Sequence, residues 1–229
     1  MSGCSDVHVK EAIRILSVVE KQENFMGNCN PQEQEVPMIY QILAIVIVFI
    51  FYSFYFAKLL IQKKQGIKTN QMGTGKKRKK VLWIERMTSC ATMLACVADV
   101  YSIFLQKNVL APQLRIVGII MGFMGVIFFA LATITMKTSW RVGIPEEKTK
   151  LVTEGIYQWS RNPAFVGFDL LYISVCFMFF TIPLMIISLW AMVMLHLQIL
   201  QEENHMHAMF GEEYDAYRIR TLRYIGRRR

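Results

Sequence analysis

The chain has 229 residues, 54% hydrophobic and 19% charged, and carries a formal charge of +9. That balance excludes a soluble enzyme and does not describe a nucleic-acid binder. The apolar residues fall in long blocks and the charges in others, as in a polytopic membrane protein. Basic residues beside such blocks set orientation and attract anionic lipids, so no nucleic-acid partner is expected.

Residues 1–37 read as a polar tail. Its mixed segment at 7–20 is either a short amphipathic helix at the interface or flexible chain, and no signal-peptide pattern is present. Cys90, Cys96 and Cys176 sit in apolar runs and read as small buried hydrophobes. Any disulfide would therefore join Cys4 and Cys29.

Residues 38–61 are almost uninterruptedly apolar and exceed the ~20 residues that a span requires. Tyr52, Tyr55 and Lys58 mark the end of this span near a headgroup layer. The loop 62–80 follows, with Lys63, Lys64, Lys68 and the run Lys76 to Lys80. It reads as a solvated loop whose charge places it in the cytoplasm. A second span is expected over 81–105, with Glu85 and Arg86 snorkelling at its interface. Asp99 reads as an interfacial acid at a loosely placed helix end, the other reading being a functional intramembrane acid. The third span, 114–136, carries Gly118 and Gly122 at the small-xxx-small spacing, used most simply for packing inside the chain.

A polar connector over 140–165 follows, broken by Gly143, Pro145, Gly155 and Pro163. Pro163 suits the first position of a helix, and Asn162 then falls at the N-cap, where its side-chain oxygen is expected to accept a free N–H. The connector thus ends on the partly positive end of a membrane helix, a place for polar or anionic ligands. Two shorter apolar runs, 164–181 and 184–200, separated at Ile182 and Pro183, require an antiparallel hairpin. Its outer ends return to one face and bring Arg161, Asn162 and Pro163 close to Glu202 and Glu203. The expected architecture is an all-α integral membrane protein of about five transmembrane helices. It divides into the tail 1–37, three spans over 38–136, and a core over 137–229 made of connector, hairpin and C-terminal helix.

The stretch L-V-T-E-G-I-Y-Q-W-S-R-N-P-A-F-V-G at 151–167, followed by Glu202–Glu203 and F-G-E-E-Y-x-x-Y at 210–217, resembles the isoprenylcysteine carboxyl methyltransferase family. The wider group includes the phospholipid N-methyltransferases, and the resemblance is to a bacterial-type member. It implies an enzyme using S-adenosyl-L-methionine. The cofactor positions it implies are Lys150, Leu151, Val152, Tyr157, Asn162, Pro163, Ala164, Phe165 and Glu202. Arg161 and Glu203 are the expected catalytic pair, with Gln198 and Asp169 on the substrate. Glu202 is suited to accept hydrogen bonds from ribose hydroxyls. The acceptor is expected to be a lipid or lipid-modified molecule arriving within the bilayer past Phe168, Leu171 and Tyr172, methylated on a carboxyl or an amine.

The chain departs from the family pattern twice. Asn162 stands where R-H-P is usual, and Gln198 stands where prenylcysteine-specific members carry an arginine, which weakens a prenylcysteine substrate more than it weakens methyl transfer. Without the resemblance, Glu202 and Glu203 would be a solvated helix start, Tyr157 and Trp159 interfacial aromatics, and Arg161 a partner of headgroup phosphates. Tyr214 and Tyr217 read as packing residues of the C-terminal helix. Glu203 and His207 alone make no metal site, and none is expected. The rivals to a methyltransferase are a sterol-reductase-like enzyme using NADPH and a non-catalytic membrane protein. The basic loop places the site in the cytoplasm, on the bacterial cytoplasmic membrane or on the endoplasmic reticulum of a eukaryote. Oligomeric state is left open.

Overall fold

The computed structural model describes residues 34–108, 110–145 and 150–228. The description below concerns the compact unit Glu35–Arg229. The segment 7–20, Cys4, Cys29 and residues 146–149 of the connector lie outside the described residues.

The fold is all-α. Its helices are α1 (Met38–Lys64), α2 (Lys79–Leu105), α3 (Pro112–Met136), α4 (Pro163–Met178), α5 (Ile182–Phe210) and α6 (Glu212–Arg220). Four of them, α1, α2, α3 and α5, are long and apolar enough to cross a membrane. The fifth expected span, α4, is apolar but shorter than the others, with 16 residues. At 1.5 Å per residue it reaches ~24 Å, short of the ~30 Å hydrocarbon core. Large apolar side chains such as Phe49, Met93, Phe104 and Ile120 stand exposed on the outer surface. Such a surface is stable against lipid and a liability in water.

The centre of the bundle is the seam between α3 and α4, where small residues let the backbones meet. A Cβ on Gly125 would stand 2.9 Å from the Gly167 carbonyl oxygen, and one on Gly167 2.9 Å from that of Gly125. A Cβ on Gly118 would come 2.8 Å from the Ser174 carbonyl. The glycine stripe is therefore spent inside the chain, as expected. Beside it, Phe51, Phe129, Leu171 and Trp140 form a buried cluster, with the Phe51 and Phe129 rings 4.6 Å apart. Tyr52 and Tyr55 turn inward against this cluster and do not mark a headgroup layer.

Three local expectations are overturned. Asp99 is fully buried with no hydrogen-bond partner among the described residues, so it faces the bundle interior and is not an interfacial acid. Glu85 does not snorkel: it is fully buried and bonded to Lys77. The 62–80 loop is not simply solvated, because Gln62, Thr69 and Gln71 are buried. Gln71 N–H donates to the Val142 carbonyl at 2.9 Å and Val142 N–H to that of Thr69 at 3.0 Å, which sews the loop to the connector.

The helix carrying Glu202 and Glu203 continues well past the expected end at 200. Residues 201–210 hold neither Gly nor Pro and include good helix formers, so α5 runs until Gly211, whose φ of +52° starts the turn into α6. Glu202 and Glu203 are thus set on the rigid extension of a membrane helix.

Candidate active site

The short turn between α4 and α5 folds them into a hairpin, and the start of α4 meets the end of α5. Pro163 opens α4 at its first position, as its missing N–H allows. Asn162 occupies the N-cap, but its side chain does not cap the helix. Instead its amide Nδ2 donates to Glu203 Oε1 at 3.1 Å and to the Arg223 carbonyl at 3.2 Å. Those two bonds turn the side chain towards α5 and the C-terminal segment, and Oδ1 accepts no N–H of the helix start.

Glu203 collects three donors. Oε1 also accepts from Arg161 at 3.0 Å, and Oε2 accepts two bonds from the Arg223 guanidinium, at 3.0 and 2.9 Å. Glu203 therefore acts through Arg161 and Asn162, holding both in place. Arg161 itself keeps two buried donors, Nε and Nη1, without partners among the described residues. A buried guanidinium with spare donors fits a planar anion such as a carboxylate.

The C-terminal segment forms the base of this arrangement. Tyr217 donates its hydroxyl to the Tyr157 carbonyl at 2.6 Å, Arg161 N–H reaches the Leu222 carbonyl at 3.1 Å, and Gly226 N–H reaches that of Trp159 at 2.7 Å. Tyr157, Tyr214 and Tyr217 pack together, as expected for the last two. Burial pushes the Tyr214 hydroxyl up to about 12 and raises that of Tyr157 further, so neither acts as a base near neutrality. His207 pairs with Asp215 at 3.1 Å, away from Glu203, so the two do not form a metal pair.

Two cavities open here. The smaller, of about 120 Å³, is lined by Lys150, Leu151, Val152, Tyr157, Arg161, Asn162, Ala164, Phe165, Glu202 and Glu203. Every residue expected around the cofactor is on its wall except Pro163, which is buried in the helix start. The larger, of about 410 Å³, runs between the helices past Tyr52, Tyr55, Thr88, Thr92, Phe168 and Gln198. Trp140, Arg141, Ala164, Phe165 and Glu202 line both.

The remaining substrate expectations divide. Phe168 and Gln198 face the larger cavity, while Leu171 and Tyr172 are fully buried core residues and do not line it. Asp169 lines neither cavity and lies within electrostatic reach of Tyr224 instead. Gln198 donates Nε2 to Glu202 Oε1 at 3.0 Å. When ionised, Glu202 offers only acceptors, which turns Gln198 Nε2 towards it and leaves Gln198 Oε1 buried without a partner among the described residues.

Sequence reasoning gave no role to Arg141, which lines both cavities, or to Asn70 and Met72, which line the larger. The signal available for the last two was Gly73 and Gly75 inside an otherwise basic run. His205 also faces the smaller cavity, and its Nε2 has no partner among the described residues. The arrangement can hold an anionic group at Arg161, hydroxyls at Glu202, and an apolar molecule on the far side of Phe165.

Residues 114–213, a little under half of the chain, match the family model described as phospholipid methyltransferase. Among curated proteins none matches the chain.

Proposed function

We propose that the chain is a membrane methyltransferase that moves a methyl group from S-adenosyl-L-methionine to a lipid acceptor; the match of residues 114–213 to the phospholipid methyltransferase model and four helices long and apolar enough to cross a membrane support this reading. The observation that carries this reading is the pair of cavities sharing Phe165 and Glu202, one walled by the polar connector and one by membrane helices.

The donor, when bound, supplies a methyl group on a positively charged sulfur. The residues fit its other parts. Arg161 has two spare buried donors for the amino-acid carboxylate, and Glu202 accepts from ribose hydroxyls. A pocket for so large a cofactor needs ~300 Å³ or more, so the donor extends past Glu202 towards the larger cavity. That places the reacting end where an apolar molecule arrives. The protein's contribution is alignment and exclusion of water, since transfer from a sulfonium needs little acid–base help. Glu203 holds Arg161, and Asn162 through the same carboxylate, so the anion site is set before ligand arrives.

The acceptor is a lipid or lipid-modified molecule whose reactive group lies at headgroup depth. Gln198 presents to this region a carbonyl oxygen without a partner among the described residues, beside the Glu202 carboxylate. Thr88 and Thr92 spend their hydroxyl protons on the Ile84 and Thr88 carbonyls. This wall offers acceptors to an N–H or O–H group, and it favours an amine over a carboxylate. The hydrogen bonds between the basic 62–80 loop and the connector support a site on the face of that loop, and the loop's charge supports a cytoplasmic location for that face.

Calorimetry on detergent-purified protein tests the donor. S-adenosylhomocysteine is expected to bind and to raise the melting temperature, and NADPH to do neither. Stabilisation by NADPH alone would replace methyl transfer with reduction.

A further inference from the structure

Upstream of the family-matched segment, in the second turn of α2, Glu85 is fully buried. Its carboxylate takes the Lys77 ammonium at 2.8 and 2.9 Å, Gly73 N–H at 2.8 Å and Ile144 N–H at 2.9 Å. Lys77 is itself only 7% exposed and donates to the Gln71 carbonyl at 2.7 Å. Three separate segments therefore meet on one carboxylate: the loop before α2, α2 itself and the connector.

We propose that Glu85, with Lys77, is a positioning residue of the transfer site, clamping the 70–77 loop to the connector at 142–144 as a roof over both cavities. The assignment rests on the methyl-transfer reading above. Three observations carry it. The clamped segments are cavity wall: Gly143 and Ile144 face the smaller cavity, Asn70, Met72 and Val142 the larger. The approach is close enough to demand glycine, since Gly143 has φ +86° and a Cβ there would stand 3.0 Å from Met72 N and 3.1 Å from Glu85 Oε1. The charges also act on the site, because Lys77 and Glu85 are within electrostatic reach of Glu202, and Lys77 of His205. A buried pair broken on one side leaves an uncompensated charge, whereas a neutral replacement of both partners is often tolerated. The neutral double variant therefore separates an effect on binding from a failure to fold.

Glu85→Gln and the neutral double variant Lys77→Met/Glu85→Gln are made in the full chain, purified in detergent and titrated with S-adenosylhomocysteine by calorimetry. Hydrogen exchange of segments 70–77 and 140–145 is followed in parallel. Wild-type protein is expected to bind, with exchange in both segments slowed by the ligand. Loss of a charged clamp is expected to weaken binding by roughly tenfold in both variants. Exchange in both segments should rise together. If Glu85→Gln does not fold, the double variant decides. A double variant that melts below wild type yet binds with unchanged Kd shows a pair serving only the fold, and overturns the assignment. Wild-type protein that does not bind the probe overturns the methyl-transfer reading and the assignment with it.

Discussion

The two polar regions that meet at the site are built in opposite ways. The downstream region, from Leu151 to the end of α6, is held by local and hairpin geometry: a proline opens α4, a glycine ends α5, and the turn between them aligns Arg161 with Glu203. The upstream region, residues 65–78, has no regular helix and is held by the buried Glu85 carboxylate, by bonds to Gln62 and Arg86, and by backbone bonds to the connector. The first tolerates surface change because secondary structure fixes it. The second draws on contacts between separate segments, three of which meet on Glu85. A site assembled this way has a preformed floor and anion site, and a roof whose order is set separately.

The largest expected effect lies in the floor. Glu203→Ala leaves Arg161, Asn162 and Arg223 without their common acceptor. Removing one side of a buried ion pair costs about 3 kcal/mol. A fall in melting temperature together with loss of donor binding is expected in detergent; a variant as stable and as tight-binding as wild type would show that the cluster is ornamental.

Next comes the wall between the cavities. Glu202→Gln keeps the shape and removes the charge, and a lost charged hydrogen bond of ~1.5–3 kcal/mol weakens binding of S-adenosylhomocysteine by roughly ten- to a hundredfold. Unchanged calorimetric affinity would reduce Glu202 to a spectator.

The smallest effect is expected at Asp169, which lines neither cavity. Asp169→Asn should leave transfer kinetics within about twofold of wild type, the range of a substitution without a site contact. A tenfold loss would place the acceptor on the other side of α4. The sidedness of both regions is checked by single-cysteine labelling at the exposed positions Thr74 and Arg220 in a cysteine-free background. Neither should react with an impermeant maleimide in intact cells.

Much of the floor was legible in the sequence because it is written in short-range signals. Pro163 at a helix start, an apolar hairpin and two polar motifs at its ends are enough to bring Arg161 to Glu203. The fate of Asn162 was not legible, since the carboxylate and the carbonyl that accept from its amide come from α5 and the C-terminal segment, distant in sequence. Leu171 and Tyr172 were expected in the acceptor path because they follow Phe168 on α4, yet both turn into the core. Asp99 and Glu85 show the same limit: an acid in an apolar run looks interfacial until its neighbours on other helices are known. The roof was hidden for a further reason. A run of Lys and Arg is usually solvated, and nothing local distinguishes Lys77, turned onto Glu85, from the exposed Arg78, Lys79 and Lys80 beside it.

The central claim is that a polar donor on one side of Phe165 meets a lipid on the other. Membranes containing the protein are incubated with S-adenosylmethionine labelled in its methyl group and partitioned between organic and aqueous phases. The account predicts label in the organic phase, strongly reduced with Glu202→Gln at limiting donor and stable to base, as an amine requires. Base-labile label would keep the lipid and change the bond to an ester. Label that depends on Glu202 yet appears only in water-soluble molecules would contradict the account.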